Sequence, residues 1–526
     1  MPSPRSTASS AQAAAPTPDI VELRADLSGS PYYNADMAPT SAAERRWGMK
    51  DLAVLWISMS ACIPTYMLAS GLIEGGMSWK QAVGTIFLGN LIVLVPMVLN
   101  AHAGTKYGIP FPVYCRASFG VRGANVPAML RALVACGWFG IQTWIGGQAI
   151  HSVVGVFVPQ WTELAPVFST VTAPQLACFL MFWLINMAVI YKGIDSIRLL
   201  LNIKAPLLIL LGLALLAWAY QAAGGFGEML ARPSAFAPGG PQAGQFWGTF
   251  VLGLTANVSF WATLALNIPD FSRYARSQRD QVLGQAAGLP TTMGLFSFIG
   301  IAVTSAALVI YKDRPRVDPD KLWDPVYLLQ QFEHPVVLVL AMAALCLATL
   351  ATNIAANVVS PANDFAHLWP RRISFRIGGL ITGLIGIAIQ PWRLLENADV
   401  YIGKWLVGYS LLLGAVGGVL IADYIVLRRT HLDLEGLYRK NGPYWYAGGF
   451  NPWALLALAV GIGLCVPGFL AAVGIVALAG DSTAAAASLP RVSAIFGTLY
   501  SYAWFTSFGA AFVVYLVAMT LAGRRT

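Results

Sequence analysis

A tryptophan and a glutamine four residues apart, Trp138 and Gln142, sit inside the stretch GWFGIQTWIGG at 137–147. At helical pitch they share one face, an indole plate one turn from a primary amide. At membrane depth such a pair suits a flat polar ring carrying adjacent N–H and C=O groups, because the indole stacks and the carboxamide offers donor and acceptor together. The same residues equally suit a Trp packed at a helix interface with a Gln bonded across it. A second stretch, SFWATLALNIPDFSRY at 259–274, places Trp261 one and a half turns from Asn267 as a second aromatic wall. Asp270 and Arg273, three apart, are spaced to pair at its end. A third, ATLATNIAAN at 348–357, puts Asn353 and Asn357 on one helical face with Thr352 beside them. Amides in an apolar helix must find partners or cost stability, so they act either as glue between helices or as readers of a polar solute.

The elements that hold these residues are membrane spans. The chain has 526 residues, 57% hydrophobic and 11% charged, with a mean hydropathy of +0.63. Runs of about 20 apolar residues recur throughout, so the fold class is an all-α polytopic membrane protein. About twelve transmembrane helices are predicted, near 51–74, 80–103, 124–157, 173–192, 197–222, 245–267, 285–311, 335–360, 375–392, 398–427, 453–478 and 493–522. The glycines at 137, 140, 146 and 147 let a neighbouring backbone approach the third span closely. Two sets of five spans lie in opposite orientation, the arithmetic of an inverted repeat in which spans one and six correspond. Both carry helix-weakening features, Ile63-Pro64-Thr65 in the first and Gly253 with Thr255 to Ser259 in the sixth. Unwound backbone at that depth must line a cavity or be buried in protein, where freed carbonyls can hold a cation; a simple proline kink is the alternative.

Charge describes topology. Most of the 33 Lys and Arg fall in the loops on one side, including Lys106, Arg116 and Arg122, Arg273 and Arg276, and Arg428 and Arg429. The positive-inside rule then puts both termini in the cytoplasm and the chain, multi-pass, in the cell (inner) membrane. Nucleic acid is excluded as a partner by the same distribution; the lipid bilayer is the expected surroundings. Residues 1–48, rich in Ala, Ser and Pro, read as a disordered cytoplasmic tail. Residues 49–430 form the ten-helix core and 431–526 hold two additional helices. The six cysteines show no CxxC and the five histidines no HExxH, so neither a disulfide frame nor metal catalysis is expected. A membrane-embedded enzyme working on diphosphates would carry an acidic NDxxD cluster, and the sequence has none. An amino-acid carrier would need a counter-charge for a zwitterion, whereas the candidate residues are neutral.

Read together, GTKYGIPFPV followed by RASFGVRGA, then GWFGIQTW, SFWATLALNIPDFSRYA, ATNIAANVVSPA and QPWRLL, resemble the nucleobase–cation symporter family of hydantoin, allantoin, cytosine and uracil permeases. The resemblance runs from Trp47 to Tyr438. It implies a LeuT-type core, a 5+5 inverted repeat, plus two peripheral helices, with alternating access, cation-coupled uptake and no cofactor or enzymatic activity. By motif position Trp138 would stack on the substrate ring, Gln142 would hydrogen-bond it, Trp261 would close the other side and Asn357 would read its amide edge; Cys62 and Asn353 are further substrate-binding candidates. A sodium site would map onto the carbonyls of Ser58, Ala61 and Ala348 with Ala351 and the Thr352 hydroxyl. Two positions depart from the hydantoin transporter: Ala351 replaces a serine whose hydroxyl ligates sodium, and Cys62 replaces a glutamine. A hard cation wants several oxygens, so the coupling ion is sodium, weakly held, or a proton. The expected function is a secondary active importer of a planar ring, uracil or a related pyrimidine first, hydantoin or allantoin second.

Overall fold

Apolar runs of this length satisfy their backbone in lipid as helices. The computed structural model describes residues 20–523 other than 34, 163, 169, 193, 370, 371, 482, 484 and 485. The first span is a pair, α1 (Met49–Ser60) and α2 (Ile63–Glu74), bent by 59° at its break. There follow α3 (Trp79–Tyr107), the short α4 (Phe111–Phe119), α5 (Asn125–Phe157), α6 (Ala173–Lys192), α7 (Ile194–Ala222) and the single turn α8 (Phe226–Met229). The sixth span divides into α9 (Phe246–Phe260) and α10 (Ala262–Asn267), trailed by α11 (Pro269–Ser272). After α12 (Gln278–Ile310) and the outer turn α13 (Pro325–Gln330) come α14 (Pro335–Asn357), α15 (Val359–Leu368), α16 (Phe375–Ala388) and α17 (Pro391–Leu394). The tenth span opens as a π-helical segment (Val400–Leu406), continues as α18 (Val407–Ile421) and closes as a second π segment (Ala422–Leu427). The chain ends with α19 (Pro452–Ala472), α20 (Ile495–Ser501) and α21 (Ala503–Leu521).

Among the described residues eight helices, or nine if the bent pair is one span, are long and apolar enough to cross a bilayer. Shorter apolar helices, Leu207–Ala222, Phe246–Phe260 and Phe375–Ala388, fall where the fifth, sixth and ninth spans were expected. The expected eleventh span is shortened: beyond Ala472 the chain turns, and Ala477–Leu478 pairs with Arg491–Val492 as a two-stranded parallel ribbon.

α5 packs against α14, α6 and α16, α12 against α1 and α3, and α18 against α21. Two glycines set the distances on α5. A side chain at Gly140 would meet the Gly386 carbonyl at 2.5 Å, and one at Gly147 the Phe179 backbone nitrogen at 2.8 Å. The backbones of α16 and α6 therefore lie directly on α5, as the glycine spacing predicts.

The expected disordered tail divides. Residues 1–19 lie outside the described residues, whereas 20–48 are laid onto the core, contrary to the expectation for them. Buried Arg45 donates to the carbonyls of Thr40 (3.0 Å), Thr105 (2.9 Å) and Val21 (3.1 Å). The Thr40 N–H reaches the Gly108 carbonyl at 2.8 Å and the Trp47 N–H the Tyr274 carbonyl at 2.9 Å. An Arg with five donors satisfies loop carbonyls that composition alone marks as unstructured.

Candidate functional site

The two interrupted spans meet α5 and the end of α14 around a cavity of about 30 Å³ in the protein interior. At the first break Ala61 and Cys62 leave helical geometry, Cys62 being extended at φ −150°, ψ 159°. Pro64 lacks an N–H for the Ser60 carbonyl, and the Thr65 N–H turns to the Cys62 carbonyl at 3.1 Å instead of the Ala61 one. The second break lies at Trp261 (φ −99°, ψ 2°) and corrects the sequence reading. Gly253 and Thr255 to Ser259 are helical, because their polar side chains bond locally: Asn257 Nδ2 donates to the Gly253 carbonyl at 2.8 Å and the Ser259 hydroxyl to the Thr255 carbonyl. The interruption is displaced to the bulky residue that follows.

Trp138, Gln142, Trp261, Asn357, Cys62 and Thr352 all line this cavity, with Phe260 and Thr263. No ionisable carboxylate, amine or guanidinium is among the lining groups. Trp138 is 5% exposed and Gln142 4%. The Gln142 carboxamide makes no hydrogen bond to any described residue, which leaves a donor and an acceptor for whatever fills the space. Asn357 donates through Nδ2 to Asn353 Oδ1 at 3.1 Å. Cys62 Sγ lies 3.2 Å from the Thr65 hydroxyl.

The two indoles do not face each other bare. Phe260 packs edge-on against both, its ring centroid 5.2 Å from that of Trp138 and 5.0 Å from that of Trp261. Trp261 also meets Trp56 edge-on at 5.2 Å, and its Nε1–H is buried with no acceptor among the described residues. Trp138 Nε1–H donates to the Tyr409 hydroxyl at 3.3 Å. Sequence reasoning missed Phe260 and Tyr409. Phe260 had one available signal, its place beside Trp261, whereas Tyr409 comes from the tenth span with nothing in its neighbourhood to mark it.

Asn353 turns away from the cavity. Its Nδ2 reaches Thr143 Oγ1 at 3.1 Å, Asn186 Oδ1 at 3.2 Å and the Phe139 carbonyl at 3.3 Å, joining α14 to α5 and α6. It is interhelical glue. The expected cation-site residues are buried on α14 and at the α1 break, Ser58, Ala61, Ala348, Ala351 and Thr352 among them. The Thr352 hydroxyl donates to the Ala348 carbonyl at 2.9 Å, so those two oxygens serve each other. Ala351 supplies no side-chain oxygen, while the Thr349 hydroxyl nearby is buried with no partner among the described residues.

Two turns along α5 from Trp138 a charged layer begins. Arg131, buried, pairs with Asp364 of α15. Asn267, its amide oxygen turned toward Arg131, accepts from Nη1 at 3.2 Å. The expected Asp270–Arg273 pair does not form: Asp270 accepts from the Phe111 N–H at 2.7 Å and the Ser360 hydroxyl at 2.7 Å, and Arg273 donates to Thr40 Oγ1 at 2.7 Å. The pull of a helix N-terminus and a neighbouring hydroxyl outweighs a half-buried contact three residues away.

Known proteins bear on this geometry. A family model described as permease for cytosine/purines, uracil, thiamine, allantoin matches residues 39–493. The chain is 44% identical over 499 residues to a purine-uracil permease of Arabidopsis thaliana, covering 94% of this chain and 78% of that one. It is 36% identical over 494 residues to an allantoin permease of Bacillus subtilis, covering 92% and 93%. Among solved structures it resembles Mhp1, a nucleobase-cation-symport-1 family transporter, in a closed conformation with bromovinylhydantoin bound. The TM-score is 0.69 at 23% identity, over 94% of this chain and 96% of that one. The LeuT-type fold expected from the sequence is thereby shared with a solved transporter.

Proposed function

Because the chain belongs to the family of permeases for cytosine/purines, uracil, thiamine and allantoin, we propose that it imports an uncharged planar ring by cation-coupled secondary transport, uracil or a related pyrimidine first. The family is one of permeases and not of enzymes. One observation carries the finer reading: Trp138, Gln142, Trp261 and Asn357 line a single cavity that holds no charged side chain. An indole plate and two carboxamides match the repeated N–H/C=O edge of uracil. A hydantoin or allantoin ring has the same edge, and the similarity to an allantoin permease along almost its full length favours it as the second reading.

The cavity holds little more than a water-sized space, so a ring needs room from the side chains around it, and Phe260, edge-on against both indoles, is placed to yield it. The Lys and Arg distribution supports a topology with both termini in the cytoplasm. Sodium would be taken by carbonyls freed at the α1 break together with Thr352, and Ala351 makes that set poor in oxygens; a proton needs no such set.

Competition of labelled uracil uptake by thymine, cytosine, hydantoin, allantoin and uric acid, with and without sodium and at two external pH values, tests this reading. Uracil and thymine should compete most strongly, with uptake steeper in pH than in sodium. Uptake blocked by allantoin but untouched by excess pyrimidines would assign the second reading instead.

A further inference from the structure

This inference rests on the cavity being the ring-binding site. We propose that Tyr409 and Tyr401 of the tenth span are positioning residues for that site, Tyr409 fixing the plane of the Trp138 indole against the α9–α10 break and Tyr401 holding the α1–α2 break.

The polarity of the bonds can be read from the atoms. An indole N–H only donates, and a phenol has one proton to give. Tyr409 gives its proton to the Ser259 carbonyl at 2.8 Å, and its oxygen takes the Trp138 Nε1–H at 3.3 Å. The chain of bonds therefore runs from Trp138 through Tyr409 to backbone two residues before Trp261. Tyr401 donates to the Pro64 carbonyl at 3.2 Å, within the first turn after the other break. Both rings are buried, at 0% and 5% exposure for Tyr401 and Tyr409. One helix thus touches both interruptions and one wall of the cavity.

The backbone of that helix is built for the reach. Residues eight apart on a regular α-helix are separated by about 12 Å and turned by about 80°. The π-helical segment Val400–Leu406 turns less per residue, which reduces this offset and lets both hydroxyls address the same region. The wide turn is braced from α20, where the Tyr500 hydroxyl donates to the Gly403 carbonyl at 2.7 Å. Trp323 lies over Tyr401 at 6.0 Å and 26°, closing the outer side. A shift at either break is transmitted to the other through this strut, and to the indole plane.

Buried hydroxyls need partners in any fold, so the test must separate placement of the indole from simple satisfaction. Tyr409→Phe and Tyr401→Phe keep the rings and delete the hydroxyls. Equilibrium binding of labelled uracil and labelled allantoin to the full-length protein, with uptake kinetics, should show Kd and KM raised about tenfold in Tyr409→Phe, the loss of one to two buried bonds, with Vmax changed less. In a Trp138→Phe background, which has no N–H to orient, the Tyr409→Phe effect should shrink to under threefold, while that of Tyr401→Phe persists. Hydroxyls that merely satisfy the fold would lower the melting temperature and leave Kd alone. A Kd for Tyr409→Phe within twofold of wild type, or a full effect in the absence of the indole, overturns the proposal. Should Tyr409→Phe not reach the membrane, Tyr401→Phe is read in its place, and a Kd within twofold of wild type overturns the proposal. Wild-type protein that binds no ring would remove the reading of the site; wild-type binding with an indifferent Tyr409→Phe removes only the tyrosine assignment.

Discussion

Asn353 and Asn357, one turn apart, divide between a contact joining helices and a place on the cavity wall. Four residues span about 400° of helix, leaving each about 40° from the other. That offset sends Asn353 into the groove between α5 and α6 and leaves Asn357 on the cavity. Spacing alone put both on one face; which neighbour each would meet was not written in the periodicity. Asn357→Ala should raise the Kd for the ring ten- to a hundredfold, roughly what loss of a buried amide contact commands, with little change in melting temperature. Asn353→Ala should lose about 1–3 kcal/mol of stability as Asn186 and Thr143 lose a partner and should move Kd less than Asn357→Ala does, since the Asn357 amide loses only its Asn353 acceptor; thermal unfolding in detergent beside ligand titration reads the two apart. Ala351→Ser restores the hydroxyl that the resemblance to the hydantoin transporter places in the proposed sodium site. Uptake by that variant should become more dependent on external sodium, and an unchanged sodium response would place the cation elsewhere.

At the scale of helices, Pro64 announced the first break because a missing N–H is visible in the sequence. The second was placed several residues early, since Asn257 and Ser259 look like helix breakers but bond back to their own turn. The π segments of the tenth span have no compositional mark, which is why Tyr401 and Tyr409 were invisible as site residues. Glycine contacts were legible in kind and not in partner. Gly147→Ala drives a methyl into the Phe179 backbone, which cannot swing aside as a side chain would. It should cost about 1–3 kcal/mol as overpacking, seen as a lower melting temperature, whereas Gly463→Ala, with open space around it, should be silent.

Across the whole molecule hydropathy located the eight or nine long apolar helices found among the described residues, and the chain's membrane character followed from so little charge over so many residues. Residues 20–48 defeated the same logic, because Arg45 anchors them through carbonyls that any sequence could present. Outside the spans, Asp324 caps α13 by accepting the Val326 N–H at 2.8 Å. Burial lifts its carboxyl from 3.8 to about 6, the backbone N–H groups of Val326 and Tyr327 offsetting part of the rise. A pKa raised on folding contributes stability that is complete below the unfolded value and is lost as pH climbs through the folded one. The melting temperature should therefore fall between about pH 4 and pH 6, and Asp324→Asn, which keeps a capping oxygen, should flatten that slope. The neutral lining of the cavity has an electrical corollary. If the cargo is the uncharged ring proposed above, it carries no current itself, and the protein's own charges return to their starting places in each cycle, so every net elementary charge crossing a proteoliposome membrane would belong to a coupled ion. The ratio of integrated current to ring delivered then counts ions per cycle directly.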